Sequence, residues 1–440
     1  MITELKSFLT HSNILQKTLF ILLTLLPIAL ATSIFISDLI ALLITTVTII
    51  ILTKERGHIF TFNIFKWPII MMILFYTIII ISLIYSISFK LSFLPSVFYF
   101  RFFLMSWGIY YIIKHNEFTL HVLLYSLLAI IFLIIFDSSI QYTFQQNIFG
   151  YKLQAYHTGG DALNFITSFF NEEKKLGSFV IRILPLVLSL IVYLDLTFFK
   201  KNHIDIVIIF FTTIIILYSS ERTPILMLLI FFTFYLKILK SKFLILTCLI
   251  VFVITFLFVS EKHFNKLVNG TLNQMTIIKE HSNYKNQEMN FSTIKYYSTE
   301  HQNLALTAFY IFKKSPFVGT GVKSFRESCE ITDFTDFVCT THPHSTYPQI
   351  LSEIGIFGFL VVLYVFLYIF YINIKIIINN NRNDNLIMSF YILNAGIIIN
   401  LMPFIPTGSF FNNWISLMIF LPLGFWLYLF MKIKQTRIIS

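Results

Sequence analysis

Long apolar runs are the feature that most constrains this chain. A helix that crosses a bilayer needs about 20 largely apolar residues, and such runs recur along the whole sequence. The runs are continuous rather than alternating, which argues against barrel strands. We predict an all-α integral membrane protein with about twelve spans, near 18–34, 36–53, 67–86, 93–113, 118–136, 179–198, 204–219, 222–239, 243–260, 352–374, 385–405 and 410–431.

The composition supports a membrane protein. Of the 440 residues, 57% are hydrophobic and 12% charged, whereas soluble domains carry about 25% charge. The net charge of +11 does not predict a nucleic-acid partner. The basic residues cluster at the ends of apolar runs, so the orientation of the protein in the membrane explains them better. The first run, near 18–33, lacks a clear small-residue cleavage site, so we expect a retained helix.

Charge asymmetry between the short connections predicts the orientation. The outer short connections hold only Lys90 and Arg222, so we expect both termini in the cytoplasm. Three regions follow: residues 1–260 with nine spans and an outward loop near 137–178, a large outward loop at 261–351, and residues 352–440 with three spans. The opposite, cytoplasmic side carries Lys6, Lys17, Lys54, Arg56, Lys66, Lys114, Lys200, Lys201, Lys237, Lys240, Lys242, Lys375, Arg382, Lys432, Lys434 and Arg437.

The large outward loop contains a predicted helix. Residues 299–314 place Leu304, Ala308, Ile311 and Phe312 on one helical face. The stretch "SPFVGTGVKSF" then ends that helix with a proline and two glycines.

Two of the three cysteines, Cys329 and Cys339, lie in the same outward loop. In an oxidising compartment we expect them to form a disulfide, and the alternative is two free thiols. Cys248 lies within a predicted span, where it is a small apolar residue.

Two histidines, His342 and His344, stand in "CTTHPHSTYPQILSEIGIFGF", residues 339–359. A helix is predicted to start around Pro348, since proline is favoured in a first turn. A helix N-terminus attracts anions and disfavours imidazolium. His344 therefore suits a general base beside a phosphate, with His342 as a supporting residue. The alternative is an interfacial histidine that hydrogen-bonds nearby loops, and the pair lacks the further ligands of a zinc site.

Three arginines are candidates for phosphate binding. Arg222 follows Glu221 at the outer lip of a span, Arg101 lies well inside a predicted span, and Arg182 lies near the outer end of another. Ionisable residues at depth usually face the protein interior or an aqueous cavity, and a guanidinium binds phosphate through two parallel hydrogen bonds. The alternative is that these side chains snorkel to lipid headgroups.

Further charges flank the outward loops. Glu172, Glu173 and the two lysines after them form either a solvated face or the rim of a cavity. Arg326 and Lys323 add positive charge in the large loop. Together these groups suit an anionic, lipid-linked substrate.

The order of these elements resembles the O-antigen ligase and polymerase superfamily. "SFFNEEKKLGSFVIRILPL" is similar to one stretch of that family. The other matching positions are Ser220–Arg222, Pro316, Gly319, Gly321, Phe325, His344, Tyr347, Gln349, Leu351, Glu353, Gly355 and Gly358.

The resemblance implies a GT-C-like glycosyltransferase in the bacterial inner membrane, active on the periplasmic face. It would move a glycan from undecaprenyl pyrophosphate to an acceptor hydroxyl, on lipid A-core or another glycan, with inversion and without metal or other cofactor. His344 matches the family's histidine and Arg222 its lip arginine. His301 stands near the position of a second family arginine. Either His301 or Arg326 replaces that arginine, or phosphate binding differs. Ser345 stands where asparagine is usual, and Phe165 replaces an arginine.

Two alternatives remain at this stage. An O-antigen polymerase would use a second lipid-linked glycan as acceptor, and the motifs do not separate the two enzymes. A polytopic transporter also suits about twelve spans, although the sequence shows no convincing repeat. Arg222, Arg101 and His344 around one outward cavity would favour the enzyme.

Overall fold

The computed structural model describes residues 6, 8, 10–55, 62–158, 161–195, 204–238, 298–330, 339–379 and 384–436. The predicted span 243–260, Cys248, residues 261–297 and the basic residues Arg56, Lys200, Lys201, Lys240, Lys242, Arg382 and Arg437 lie outside these ranges.

Six helices form the N-terminal part. They are α1 (Ile14–Thr32), α2 (Ile34–Lys54), α3 (Phe62–Ile84), α4 (Phe89–Val97), α5 (Phe100–His115) and α6 (Phe118–Phe144). Polar caps define the starts of α1 and α2: Asn13 and Gln16 form a reciprocal capping box, and Ser33 accepts the Ile36 N–H.

A short antiparallel hairpin, β1 (Gln154–Thr158) and β2 (Asp161–Phe165), lies within the predicted outward loop 137–178. Three helices follow: α7 (Leu176–Tyr193), α8 (Ile204–Tyr218) and α9 (Arg222–Ile238). The buried carboxylate of Asp137 in α6 anchors the chain before the hairpin, since it accepts hydrogen bonds from Asn147 Nδ2, the Ile148 N–H and Ser168 Oγ.

The C-terminal part contains α10 (Thr299–Lys314), α11 (Phe325–Glu330), α12 (Thr346–Ile378), α13 (Asn385–Asn400) and α14 (Asn413–Gln435). The helix predicted at 299–314 is thus confirmed as α10. Its Leu304, Ala308 and Ile311 are buried in a small cluster with Phe325 and Cys329 of α11.

Eight helices in the described part of the chain are long and apolar enough to cross a membrane, α4 and α5 counting as one, and α8 and α13 contribute shorter apolar helices. This confirms the all-α integral membrane class, while the count of twelve spans stays a prediction. α5 packs against α14 and α2, and α7 packs against α13 and α8. Buried aromatic side chains, among them Tyr110, Phe390 and Trp426, fill the shared core.

The span predicted at 93–113 is interrupted. α4 ends at Val97 and α5 starts at Phe100, so Arg101 lies in the first turn of α5 rather than well inside one helix. Its guanidinium contacts Asp38 Oδ1 of α2 at 2.9 Å, and Asn413 Nδ2 donates to the other carboxylate oxygen at 3.0 Å. Pairing with a carboxylate makes burial of this charge tolerable.

α12 breaks at Gly355, whose φ of +70° and ψ of −170° are not helical. The turn after α10 hydrogen-bonds the groups that the break frees. The Ile356 N–H donates to Pro316 O at 2.8 Å, and the Gly321 N–H donates to Glu353 O at 2.9 Å. Non-helical backbone within a membrane protein requires such internal partners.

Glycine is required on both sides of this contact. A Cβ at Gly355 would lie 2.2 Å from Phe317 O, and a Cβ at Gly319 would lie 2.3 Å from Glu353 C. The "GTG" motif and the glycine of "EIG" are therefore two halves of one backbone contact.

We predict that Gly355→Ala lowers the thermal stability of the protein, because alanine meets both the left-handed backbone and the Phe317 carbonyl. The backbone strain alone costs about 1–3 kcal/mol. Size-exclusion chromatography of detergent-solubilised protein after heating measures the midpoint. Gly408→Ala is the control, since its nearest new contact, Ile415 Cγ1, lies at 3.6 Å. Equal midpoints for the two variants would contradict the prediction.

Candidate active site

The connections predicted to face outward meet around a cavity of about 680 Å³, within the range of about 300–1,000 Å³ typical of ligand sites. Its lining combines basic side chains, two imidazoles, one carboxylate and small polar groups. The charged and imidazole side chains are Lys174, Lys175, Arg182, Lys323, Arg326, Glu327, His342 and His344. Five cations against one carboxylate make this lining strongly positive.

The backbone of His344 is held in a left-handed conformation, with φ of +51°. The Thr407 N–H donates to His344 O at 2.9 Å, and Ser345 forms a β-bridge with Pro406. Tyr347 Oη donates to Leu401 O at 2.7 Å. Strained backbone persists where its surroundings over-determine it, as at many functional sites. The segment between α13 and α14 therefore fixes where the imidazole lies.

Three imidazoles lie close together. The ring centroids of His342 and His344 are 4.1 Å apart, and those of His301 and His344 are 6.1 Å apart. His301 is in the first turn of α10, where its Nδ1 contacts Ser298 Oγ at 2.8 Å. Among the described residues, no three His, Cys, Asp or Glu side chains are placed to hold a metal ion.

The environment favours neutral imidazoles. Burial, reinforced by the charge of His344, lowers the pKa of His342 to about 4. Burial also lowers the pKa of His344, against the opposing charge of Glu300. Burial, His344 and Arg222 lower the pKa of His301, again opposed by Glu300. Near neutral pH, His344 is therefore available as a proton acceptor.

Glu221 holds the connection between α8 and α9, next to Arg222, against the start of α7. Its carboxylate accepts the Gly177 N–H at 2.6 Å and the Ser178 N–H at 3.2 Å, at the start of α7. Burial raises the pKa of Glu221, and these hydrogen bonds oppose that shift. Arg222, the first residue of α9, is close enough to lower the pKa of both Lys174 and His301, after burial. Arg222 and His301 are not among the residues that line the cavity, so of the predicted set Arg222, Arg101 and His344 only His344 lines it.

Arg182 forms the floor of the cavity. It is 4% exposed, and its guanidinium donates to Ser178 O at 3.1 Å and Thr407 Oγ1 at 3.3 Å. A smaller void beneath Arg182 is lined mainly by apolar side chains, including Ile397 and Ile419. The same two isoleucines line an apolar cavity of about 140 Å³ between the helices.

A buried carboxylate positions Lys323 at the cavity wall. Glu353 Oε2 accepts the Lys323 N–H at 3.0 Å and Gln349 Nε2 at 3.1 Å. Gln349 Oε1 accepts the Phe410 N–H at 2.8 Å. Lys323 has a φ of +61°, so this hydrogen bond secures an uncommon backbone conformation. The segments "EIG" (353–355) and "GVKSF" (321–325) therefore form the same part of the cavity wall.

A disulfide joins Cys329 of α11 to Cys339, with the Cα atoms 5.8 Å apart. It connects the helix that carries Arg326 to the segment that leads into His342. Two sections of the cavity wall are therefore covalently linked.

Some of the predicted site residues do not reach the cavity. Arg101 is paired with Asp38 and is not among the lining residues. Glu172 and Glu173 are exposed outside it, and Glu173 forms an ion pair with Lys175. The lysines of this charge run line the cavity instead.

The structure also adds residues that sequence reasoning missed. Glu327 lines the cavity beside Arg326, as do Ser409 and Asn412 from the connection before α14. Glu327 directly follows Arg326, a predicted site residue, and this position in the sequence could have identified it. The connection before α14 had no sequence feature that indicated a site, because it lay within or between predicted spans.

Fold and site together define a multi-pass membrane protein with a cationic, histidine-containing cavity at the ends of its helices. Residues 207–363 match the family model described as O-antigen ligase. The match confirms the predicted resemblance to the O-antigen ligase superfamily, a family of membrane glycan-processing enzymes that act on lipid-linked glycans and glycan acceptors. The matched segment includes Arg222, His301 and His344. No curated protein sequence matches the chain.

We predict that acid destabilises the protein partly through His342. The folded pKa of about 4 lies below the ordinary 6.5, so the unfolded chain binds a proton at a higher pH. The stability that neutral His342 contributes is full above about pH 6.5 and is lost as the pH falls towards 4. Thermal midpoints measured across this window should therefore fall less in His342→Gln than in the wild type.

The control for this series is His11→Gln, which removes an exposed histidine in the N-terminal region. It should reproduce the wild-type pH dependence. An equal fall in midpoint for wild type and His342→Gln would contradict the prediction, whatever the absolute stability of the variant at neutral pH.

Proposed function

We propose that the chain is an O-antigen ligase-like glycosyltransferase. It would transfer a glycan from undecaprenyl pyrophosphate to a hydroxyl of lipid A-core or another glycan acceptor. The observation that carries the proposal is the convergence of neutral His344 and five cationic side chains on one cavity.

The cations suit the donor pyrophosphate. Arg182 and Arg326 offer planar guanidinium groups that match phosphate oxygens, and Lys174, Lys175 and Lys323 add positive charge. Arg222, with His301 beside it, extends the same field at the lip. Charges fixed in place before the reaction stabilise a leaving group without reorganising in the transition state.

His344 suits the acceptor hydroxyl. The hydroxyl oxygen attacks the anomeric carbon as its proton passes to the imidazole. The bond between that carbon and the pyrophosphate oxygen breaks, and the pyrophosphate leaves with the electron pair. Direct displacement inverts the anomeric configuration. His342 would support His344 by packing against its ring, at the 4.1 Å centroid separation.

We infer that this cavity faces the periplasm from a bacterial inner membrane, with both termini in the cytoplasm. The asymmetry of Lys and Arg between the short connections supports the orientation. The three regions 1–260, 261–351 and 352–440 then correspond to nine spans, a periplasmic segment and three closing spans. The disulfide between Cys329 and Cys339 fits an oxidising compartment.

We predict that His344→Ala reduces glycan transfer in membranes by about a hundredfold or more, since general bases contribute about 10²–10⁴-fold. His11→Ala, with an exposed histidine far from the cavity in sequence, should keep wild-type transfer. Protein levels of the variants are matched by immunoblot. Near-normal transfer by His344→Ala would overturn the role assigned to this imidazole.

The second candidate, an O-antigen polymerase, is separated by the surface glycan of a deletion strain on a gel. We predict lipid-linked polymer together with a bare core, as expected on loss of a ligase. Single repeat units attached to the core would instead identify a polymerase. Complementation with the wild-type chain should restore the full ladder, and complementation with His344→Ala should not.

A further inference from the structure

The carboxylate of Glu327 is the exception in a basic environment. Among the described residues that line the cavity it is the one acidic side chain, against five cations. It lies on α11 immediately after Arg326. A negative charge here repels a pyrophosphate, so Glu327 does not suit the donor.

The hydrogen-bonding state of Glu327 points to a neutral polar ligand. Its Oε2 is shielded from solvent and has no hydrogen-bond partner. An ionised carboxylate only accepts hydrogen bonds, and two adjacent hydroxyls of a sugar can donate to its two oxygens. A buried oxygen is costly to leave unsatisfied, so rotation of the Glu327 side chain towards a hydroxyl in the cavity would be favourable.

A second polar atom without a hydrogen-bond partner belongs to another residue of the lining. His342 Nε2 is also shielded and unpartnered, while its Nδ1 contacts Thr341 Oγ1 at 2.9 Å. The disulfide between Cys329 and Cys339 links the two segments that carry Glu327 and His342. These two groups therefore belong to one covalently linked part of the wall, next to His344.

We propose that Glu327 binds hydroxyl groups of the acceptor sugar and so determines which acceptor reaches His344. This inference rests on the proposed transferase function and assigns the acceptor to the wall formed by α11 and residues 339–344. The donor pyrophosphate keeps the five cations of the lining, including Arg326 beside Glu327 on α11.

The test uses full-length protein in detergent, with an undecaprenyl-pyrophosphate-linked repeat unit as donor. Purified lipid A-core and a second lipid-linked repeat unit are titrated separately as acceptors. Glu327→Ala should raise the KM for the acceptor that the wild type uses by about tenfold, as loss of a hydrogen bond to a charged group predicts. The KM for the donor should stay within about twofold of the wild type.

Two further variants serve as controls for this experiment. Glu327→Gln keeps one oxygen acceptor and should show a smaller rise in acceptor KM. Glu330→Gln removes an exposed carboxylate from the same helix and should leave both KM values unchanged. Alkylation and mass measurement without reductant establish that the Cys329–Cys339 disulfide is intact in each variant.

An unchanged acceptor KM in Glu327→Ala would overturn the proposal, and so would an equal rise in both KM values. A fall in kcat alone, with a lower melting temperature, would assign Glu327 a structural role and also overturn it. If the wild type transfers to neither acceptor, the proposed function fails and this inference fails with it. If the wild type is active and Glu327→Ala matches it, only the acceptor assignment fails.

Discussion

The break in α12 is the constraint on which the site depends. A helix interrupted at Gly355 frees backbone groups, and in a membrane protein these groups need partners within the chain. The turn 316–321 provides them: Pro316 O accepts the Ile356 N–H, and the Thr320 and Gly321 N–H groups donate to Ser352 O and Glu353 O. These hydrogen bonds place the start of α12, which His344 precedes, against the segment that carries Lys323 and Arg326. This backbone contact and the hydrogen bonds from the segment between α13 and α14 together position the proposed base.

The cavity combines fixed positive charges with neutral imidazoles. Burial lowers the pKa of His344, His342 and His301, so the imidazoles remain neutral among fixed cations. An imidazolium would add to the positive charge and lose its ability to accept a proton. Burial thus keeps the proposed base His344 in its neutral form. The buried carboxylates Glu221 and Glu353 have structural positions, since each accepts backbone N–H groups.

Much of this arrangement follows from the sequence, and the remainder follows from contacts that no local pattern encodes. Apolar runs predict the spanning helices, and the outward loops predict where His344 and the cationic lining residues lie. The interruption before Arg101 was not predicted, because an apolar run conceals a break when both halves are helical. Its partner Asp38 lies 63 residues away. The β-hairpin at 154–165 was missed because it lies in a polar loop of mixed composition.

Arg182 has a consequence for the integrity of the membrane. Its guanidinium lies between the positively charged cavity and a mostly apolar void, and Ile397 and Ile419 of that void also line the apolar cavity between the helices. A fixed cation above an apolar space opposes the passage of protons and metal ions, because an apolar lining cannot replace their hydration shells. The cavity can therefore coexist with an energised bilayer without dissipating its electrochemical gradient.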